Sequence, residues 1–146
     1  MGLDVGTVRI GVALSDPLGM FATPHSTIVK KKDQQVISEL VAIVSSQSVG
    51  TIVIGQPTEL SGELGEQAKK VQEFAQKLAK ATARLPNGGP KLVFWDERFS
   101  SLAAERIIAG GRIKHKDRHA AVDRVSASII LEGFLDSLSN TRESSY

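Results

Sequence analysis

The first 29 residues hold three strand-like stretches with no helical pattern between them. Met1 to Asp16 reads MGLDVGTVRIGVALSD, and Gly6-Thr7 divides it into strands at 2–6 and 8–14. Alternation in the second puts Val8, Ile10, Val12 and Leu14 on one face. The segment SDPLGM (15–20) carries Asp-Pro and Gly, which favour a turn, and leads into a third strand at 21–29, FATPHSTIV. Pro24 lacks the N–H that a central strand donates, so this third strand belongs at a sheet edge. Strands joined by such short turns pair antiparallel, which settles half of a sheet before any helix begins.

The rest of the chain alternates. Val36, Ile37, Leu40, Val41 and Val44 recur at helical spacing over 34–48, with Asp33 as the expected N-cap. TIVIGQP (51–57) is a short apolar run ended by Gly-Gln-Pro, the pattern of a buried parallel strand. A loop at 58–65 leads into a helix over 66–84, where Val71, Phe74, Ala75 and Leu78 form one apolar stripe. LPNGGP (85–90) breaks it, and KLVFWDER (91–98) is a fifth strand ending in charge. Ser100 or Ser101 can cap a short helix at 102–109, which Gly110-Gly111 stops. A basic loop and a final helix over about 120–138 follow, with Val122, Val125, Ile129 and Leu131 to Leu135 as its apolar residues. The expected order is β-β-β-α-β-α-β-α-α: an α/β fold, with a five-stranded mixed sheet covered by helices on both faces. A single domain over 1–138 and a flexible tail over 139–146 are expected.

Composition narrows the chemistry. With no cysteine among 146 residues, disulfides, thiolate metal sites and a cysteine nucleophile are excluded. Aromatic residues make up only 5%, so stacking platforms for single-stranded bases are few. The formal charge is +2, so binding to a polyanion must come from a local patch. No apolar run approaches the roughly 20 residues needed to span a bilayer, so no membrane partner is expected. The first strand begins almost at Met1 and no targeting segment is visible. The expected location is the cytoplasm, or an organelle stroma or matrix if a transit peptide has been removed.

Three acidic positions stand out against this frame. Asp4 lies within an apolar strand, with Gly2 and Gly6 at the same pleat parity, which leaves room beside it for an ion or a phosphate. It can equally cap a turn. Asp96-Glu97-Arg98 ends the fifth strand after four apolar residues. Neighbouring residues point to opposite faces, so only one of Asp96 and Glu97 can share the face of Asp4. Asp123 opens the last helix, where an acid also suits the helix dipole. Ser126 and Ala127, one turn on, are small enough to let that helix approach a sheet. Two strand acids and one helix acid converging on a cleft suit divalent cations such as Mg²⁺, which prefer carboxylate and water oxygens.

Between Gly111 and Asp123 lies RIKHKDRHAAV. Arg112, Lys114, Lys116 and Arg118 in it are candidate nucleic-acid contacts, or else a solubilising face. Arg9 and Arg98 join them as cations near the acids. His115 and His119 are four residues apart but lack the context of a zinc site. The segments DPLGM and GQPTELSGELG are candidate substrate-side loops.

Together, GLDVGTVRIGVALSDPLG, IVIGQPTELSGELGEQAKKVQEFAQKL, FWDERFSS followed by AAER, and VDRVSASIIL resemble the YqgF/RuvX family over residues 2–138. That family comprises ribonuclease-H-like proteins known as pre-16S rRNA nucleases and as Holliday junction resolvases. The resemblance implies a ribonuclease-H-like five-stranded mixed sheet and an Mg²⁺- or Mn²⁺-dependent site. The family's acidic positions match Asp4, Glu97 and Asp123, with Asp96 beside them in the D-E-R motif. This chain departs from the family pattern at Val8, where Lys is frequent, at Gln56, at Ser126 and at Phe99.

The expected function is a metal-dependent endonuclease acting on structured RNA, above all 5′-end processing of precursor 16S rRNA. The alternative is resolution of branched DNA, which needs two active sites and hence a homodimer, whereas trimming one RNA end needs only a monomer. Two other classes share the sheet: a non-catalytic nucleic-acid-binding module, and ATPases of the actin and Hsp70 type, whose phosphate loop also reads Asp-x-Gly-Thr. The second ordinarily closes two lobes on its nucleotide, and 146 residues supply one.

Overall fold

The computed structural model describes residues 1–57, 65–97 and 115–144, with side chains at all of these except 115–122. Within them lie β1 (Gly2–Val5), β2 (Arg9–Ser15), β3 (Ala22–Val29), α1 (Asp33–Ser46), β4 (Thr51–Gln56), α2 (Glu66–Thr82), β5 (Lys91–Asp96) and α3 (His115–Glu143). A 3-10 turn, Pro86–Gly88, separates α2 from β5. The five strands form one sheet in the order β3-β2-β1-β4-β5. β1, β2 and β3 pair antiparallel, while β4 runs parallel to β1 and to β5. This is the mixed sheet expected from the order of elements.

β3 is an edge strand, as Pro24 requires. Val12 pairs with Ser26 and Ala13 with Pro24, so His25 is an extra residue in a bulge. The proline thus sits where the ladder is already interrupted.

Strand alternation divides the core into two layers. Leu3, Val5, Ile10, Val12, Ile52 and Ile54 pack against Val36, Leu40 and Val44 of α1 and Val71, Phe74 and Leu78 of α2. On the other face, Ala13 and Val53 meet Ala127, Ile130, Leu131 and Leu135 of α3. Trp95 and Phe134 close the rim of that second layer in an edge-to-face pair, 6.4 Å between ring centroids. Each fully buried Leu or Ile contributes about 1.5–3 kcal/mol of transfer free energy, so both layers are needed to hold the sheet.

Several local expectations are corrected. Lys32, not Asp33, occupies the cap position of α1 and makes no side-chain cap bond. Asp33 lies in the first turn, where it faces the helix dipole, and its carboxylate accepts a 2.8 Å bond from Lys77 Nζ of α2. Val8 is not on the buried face of β2 but in the turn before it, 54% exposed. α3 begins at His115 and runs through Glu143, so His115–His119 are helical rather than loop, and the polar residues from 139 to 143 continue the helix. Thr141 Oγ1 bonding the Ser137 carbonyl at 2.9 Å shows how these polar side chains are accommodated there. The predicted helix at 102–109 lies outside the described residues. None of the described helices is long and apolar enough to cross a membrane.

Candidate active site

The site is built where strands and helices share one end of the sheet. β1 and β4 finish there, and so does β5, while β2 starts there. The chain turns from β1 to β2 through Gly6–Val8, closed by the Gly6 N–H donating to the Arg9 carbonyl at 2.9 Å. A Cβ on Gly6 would stand 2.8 Å from that same carbonyl, which is why the turn takes glycine. The N-termini of α1 and α2 lie at this end too: Lys30 N–H donates to the Val8 carbonyl at 2.8 Å, and Gln67 Nε2 to the Val5 carbonyl at 3.4 Å.

Asp4 is buried, 8% exposed, on the face of the sheet that α3 covers. Its cross-strand partner is Gly11 of β2. On its other side, β1 pairs Leu3 with Ile54, and one further step of that register reaches Gly55 of β4. The acid therefore stands between two positions without side chains, and the reason for both lies in α3 and β5. A Cβ on Gly11 would collide with the Asp123 carbonyl and lie 3.1 Å from Arg124 N. A Cβ on Gly55 would press on Ile130 Cδ1 and stand 2.9 Å from Glu97 Oε1. Glycine at 11 lets the first turns of α3 settle onto β2 beside Asp4; glycine at 55 lets the Glu97 carboxylate reach in above β4.

The space expected above Gly2 is not open. A Cβ there would be 2.7 Å from both the Ala127 carbonyl and Leu131 Cβ, so the helix fills it. Ser126 and Ala127 are buried, as their small size suggested, and let α3 lie this close.

β5 separates the two adjacent acids by face. Trp95 pairs with Gly55 and belongs to the α3 layer, whereas Phe94 pairs with Ile54 of the opposite layer. By alternation Asp96, paired with Gln56, falls on the α2 side, whereas Glu97, just past the strand, brings its Oε1 over Gly55 on the α3 side. Asp123 sits in α3 with its carboxylate held from β2: Arg9 Nε donates to Oδ2 at 3.0 Å, with both side chains partly exposed. Arg9 is thereby an ion-pair partner of an acidic position as well as a cation at the mouth of the site. Sequence spacing could not reveal this contact, since 114 residues separate the pair. The carboxylates of Asp4, Glu97 and Asp123 share one end and one face, yet among the described residues no three acidic or histidine groups lie close enough to enclose a metal ion at once.

The remaining candidates divide. Arg98, Arg112 and Lys114 lie outside the described residues, as does most of the loop after Pro57. Lys116 and Arg118 are in the first turns of α3, within the described backbone only. The DPLGM loop is at the wrong end of the sheet to meet Asp4, because β2 runs antiparallel to β1 and carries the chain away. There Asp16 organises the turn: its Oδ1 accepts from Met20 N–H at 2.7 Å and Phe21 N–H at 2.8 Å. The Phe21 bond, with the Met20 bond adding to it, holds the Asp16 carboxyl below its ordinary range.

Comparison with known proteins agrees with this architecture. The model of the RuvX family, described as Holliday junction resolvase, matches residues 1–137. A relative from Clostridioides difficile is 41% identical over 93% of this chain and 92% of its own. One from Roseiflexus is 40% identical over 94% and 93%, and one from Carboxydothermus hydrogenoformans is 38% identical over 93% and 94%. All three bear the name "Putative pre-16S rRNA nuclease". Among solved structures, Thermus thermophilus RuvC in complex with a Holliday junction substrate superposes with a TM-score of 0.60 at 9% identity, covering 96% of this chain and 95% of that one. RuvC from the same organism in a second structure gives 0.56 at 12% identity. The fold is therefore that of RuvC, a ribonuclease-H-like sheet, and the chain belongs to the RuvX family.

Proposed function

We propose that this protein is a metal-dependent nuclease that hydrolyses phosphodiester bonds in structured nucleic acid, and that its task is 5′-end processing of precursor 16S rRNA. The observation that carries the reading is the placing of Asp4, Glu97 and Asp123 at one end of one face, where Gly11 and Gly55 make room for the helix and the carboxylate. Carboxylate oxygens without sulfur or imidazole are a donor set for Mg²⁺ or Mn²⁺. Such ions, when bound, activate the attacking water and neutralise charge on the leaving oxygen.

The chain's own residues supply position. Asp4 is anchored mid-sheet and Asp123 on a 29-residue helix, so both acids are fixed by the core rather than by loops. Glu97 enters from the strand end. Asp96 faces away and is left out of the set. Arg98, Arg112, Lys114, Lys116 and Arg118 supply the positive charge that holds a phosphate backbone against the acids. The name carried by the relatives favours the RNA substrate. Branched DNA is the second reading, favoured by the family description and by the RuvC fold.

The test compares a precursor 16S rRNA bearing its 5′ extension with a four-way DNA junction, each with Mg²⁺ and with excess EDTA. The proposal expects faster cleavage of the RNA, abolished by EDTA. Cleavage of the junction alone would transfer the function to DNA, and EDTA-resistant cleavage would remove the metal.

A further inference from the structure

Arg9 touches Asp123 through one atom pair. Its Nε donates to Oδ2, and no second bond between a described residue and the Asp123 carboxylate accompanies it. The contact is well founded at both ends. The backbone of Arg9 is pinned between the Gly6–Arg9 turn bond and pairing with Val29. The backbone of Asp123 rests on Gly11, two residues further along the same face of β2. A strand residue thus claims one oxygen of a helix carboxylate and leaves Oδ1 as the oxygen without a protein partner among the described residues.

We propose that Arg9 is a positioning residue that sets metal selectivity by making Asp123 a one-oxygen ligand. This rests on the reading of Asp123 as a metal-holding residue. Mg²⁺ keeps several waters in a near-octahedral shell and takes single carboxylate oxygens, whereas Ca²⁺ has a larger shell and accepts both oxygens of one carboxylate. A guanidinium occupying Oδ2 permits the first mode and opposes the second. Arg9 suits the role because its fork-shaped head fixes an oxygen in direction as well as in charge. Its side chain is also 30% exposed, so its terminal nitrogens can meet a phosphate at the mouth of the site.

The experiment follows Mn²⁺ binding to the full chain by electron paramagnetic resonance, with Mg²⁺ or Ca²⁺ as competitor, for wild type, Arg9→Lys, Arg9→Gln and Asp123→Asn. Wild type should favour Mg²⁺ over Ca²⁺ as a competitor. Arg9→Gln should shift that ratio about fivefold towards Ca²⁺, the scale of a partly exposed ion pair, and Arg9→Lys should shift it less. A ratio unchanged in both Arg9 variants, while Asp123→Asn weakens Mn²⁺ binding, overturns the role of Arg9 and leaves the proposed metal site standing. Mn²⁺ binding unaffected by Asp123→Asn overturns both. Should Arg9→Gln fail to fold, Arg9→Lys decides alone: wild-type selectivity with an altered ion-pair head also counts against the proposal.

Discussion

Two glycines do more than any charged residue to make the acidic end possible. At Gly11 and Gly55 the missing Cβ is space already taken by α3 and by Glu97. Gly11→Ala should therefore destabilise the fold by about 1–3 kcal/mol, as overpacking does, and lower cleavage further by lifting Asp123 off the sheet. Gly50→Ala is the control, since nothing stands within 4 Å of its Cβ position; thermal melts of the two variants should separate clearly. Equal melting temperatures would remove the packing argument. Asp16 gives a prediction in pH. Its folded pKa lies below the ordinary 3.8, so the turn bonds are fully present above that value and are lost as pH falls through the lower, folded one. The Met20 and Phe21 amide resonances should titrate together with a midpoint below 3.8, and a midpoint at or above it would show that the carboxylate is not held by them. Asp4, the pair Asp96-Glu97 and Asp123 could be picked out in the sequence as candidate acids, with the choice within the pair left open by strand alternation and made only by the family resemblance. What could not be read was geometry: Gly2 offered apparent room that α3 occupies, and the Arg9–Asp123 pair joins residues 114 positions apart.

At the level of elements, the order of strands and helices was legible because each carries its own period: alternation in β2, a short apolar run in β4, a clean stripe in α2. The boundaries of α3 were not. Its N-terminal turns are basic and its C-terminal turns polar, so neither shows the apolar spacing that marks the middle. Side chains that bond back to the helix, such as Ser137 Oγ to the Phe134 carbonyl at 2.6 Å, leave no hydrophobic signature. The Pro24 edge was legible, while the bulge beside it depends on pairing with β2 and was not. The two faces of the sheet also predict different consequences for equal damage. Ile130→Ala on α3 and Leu40→Ala on α1 each remove a fully buried aliphatic side chain and should each cost about 2–5 kcal/mol. Only the first undercuts Gly55 and Glu97. Assayed at a temperature where both variants stay folded, Ile130→Ala should lose cleavage disproportionately and Leu40→Ala should not; equal losses would argue that activity follows stability alone.

For the whole molecule, the acids stand at one end of the sheet and the apolar turn at Leu18, Met20 and Phe21 at the other, so the proposed chemistry belongs to the first end alone. With a formal charge of only +2, binding of nucleic acid has to draw on local cations rather than on the molecule's overall field. Replacing Arg112 and Lys114 by alanine should weaken binding to all sequences alike and flatten the salt dependence, by about 0.7–0.9 in log–log slope for each phosphate that is no longer neutralised. An unchanged slope would place the nucleic acid elsewhere. The central claim is that Asp4, Glu97 and Asp123 act as one metal-holding set from which Asp96 is excluded because it lies on the α2 face of the sheet. It is tested most directly by Mg²⁺-dependent cleavage in Asp4→Asn, Glu97→Gln, Asp123→Asn and Asp96→Asn, each confirmed folded. Losses of at least about a hundredfold are expected in the first three, with Asp96→Asn close to wild type. Full activity in Asp4→Asn, or loss in Asp96→Asn with Glu97→Gln intact, would contradict it.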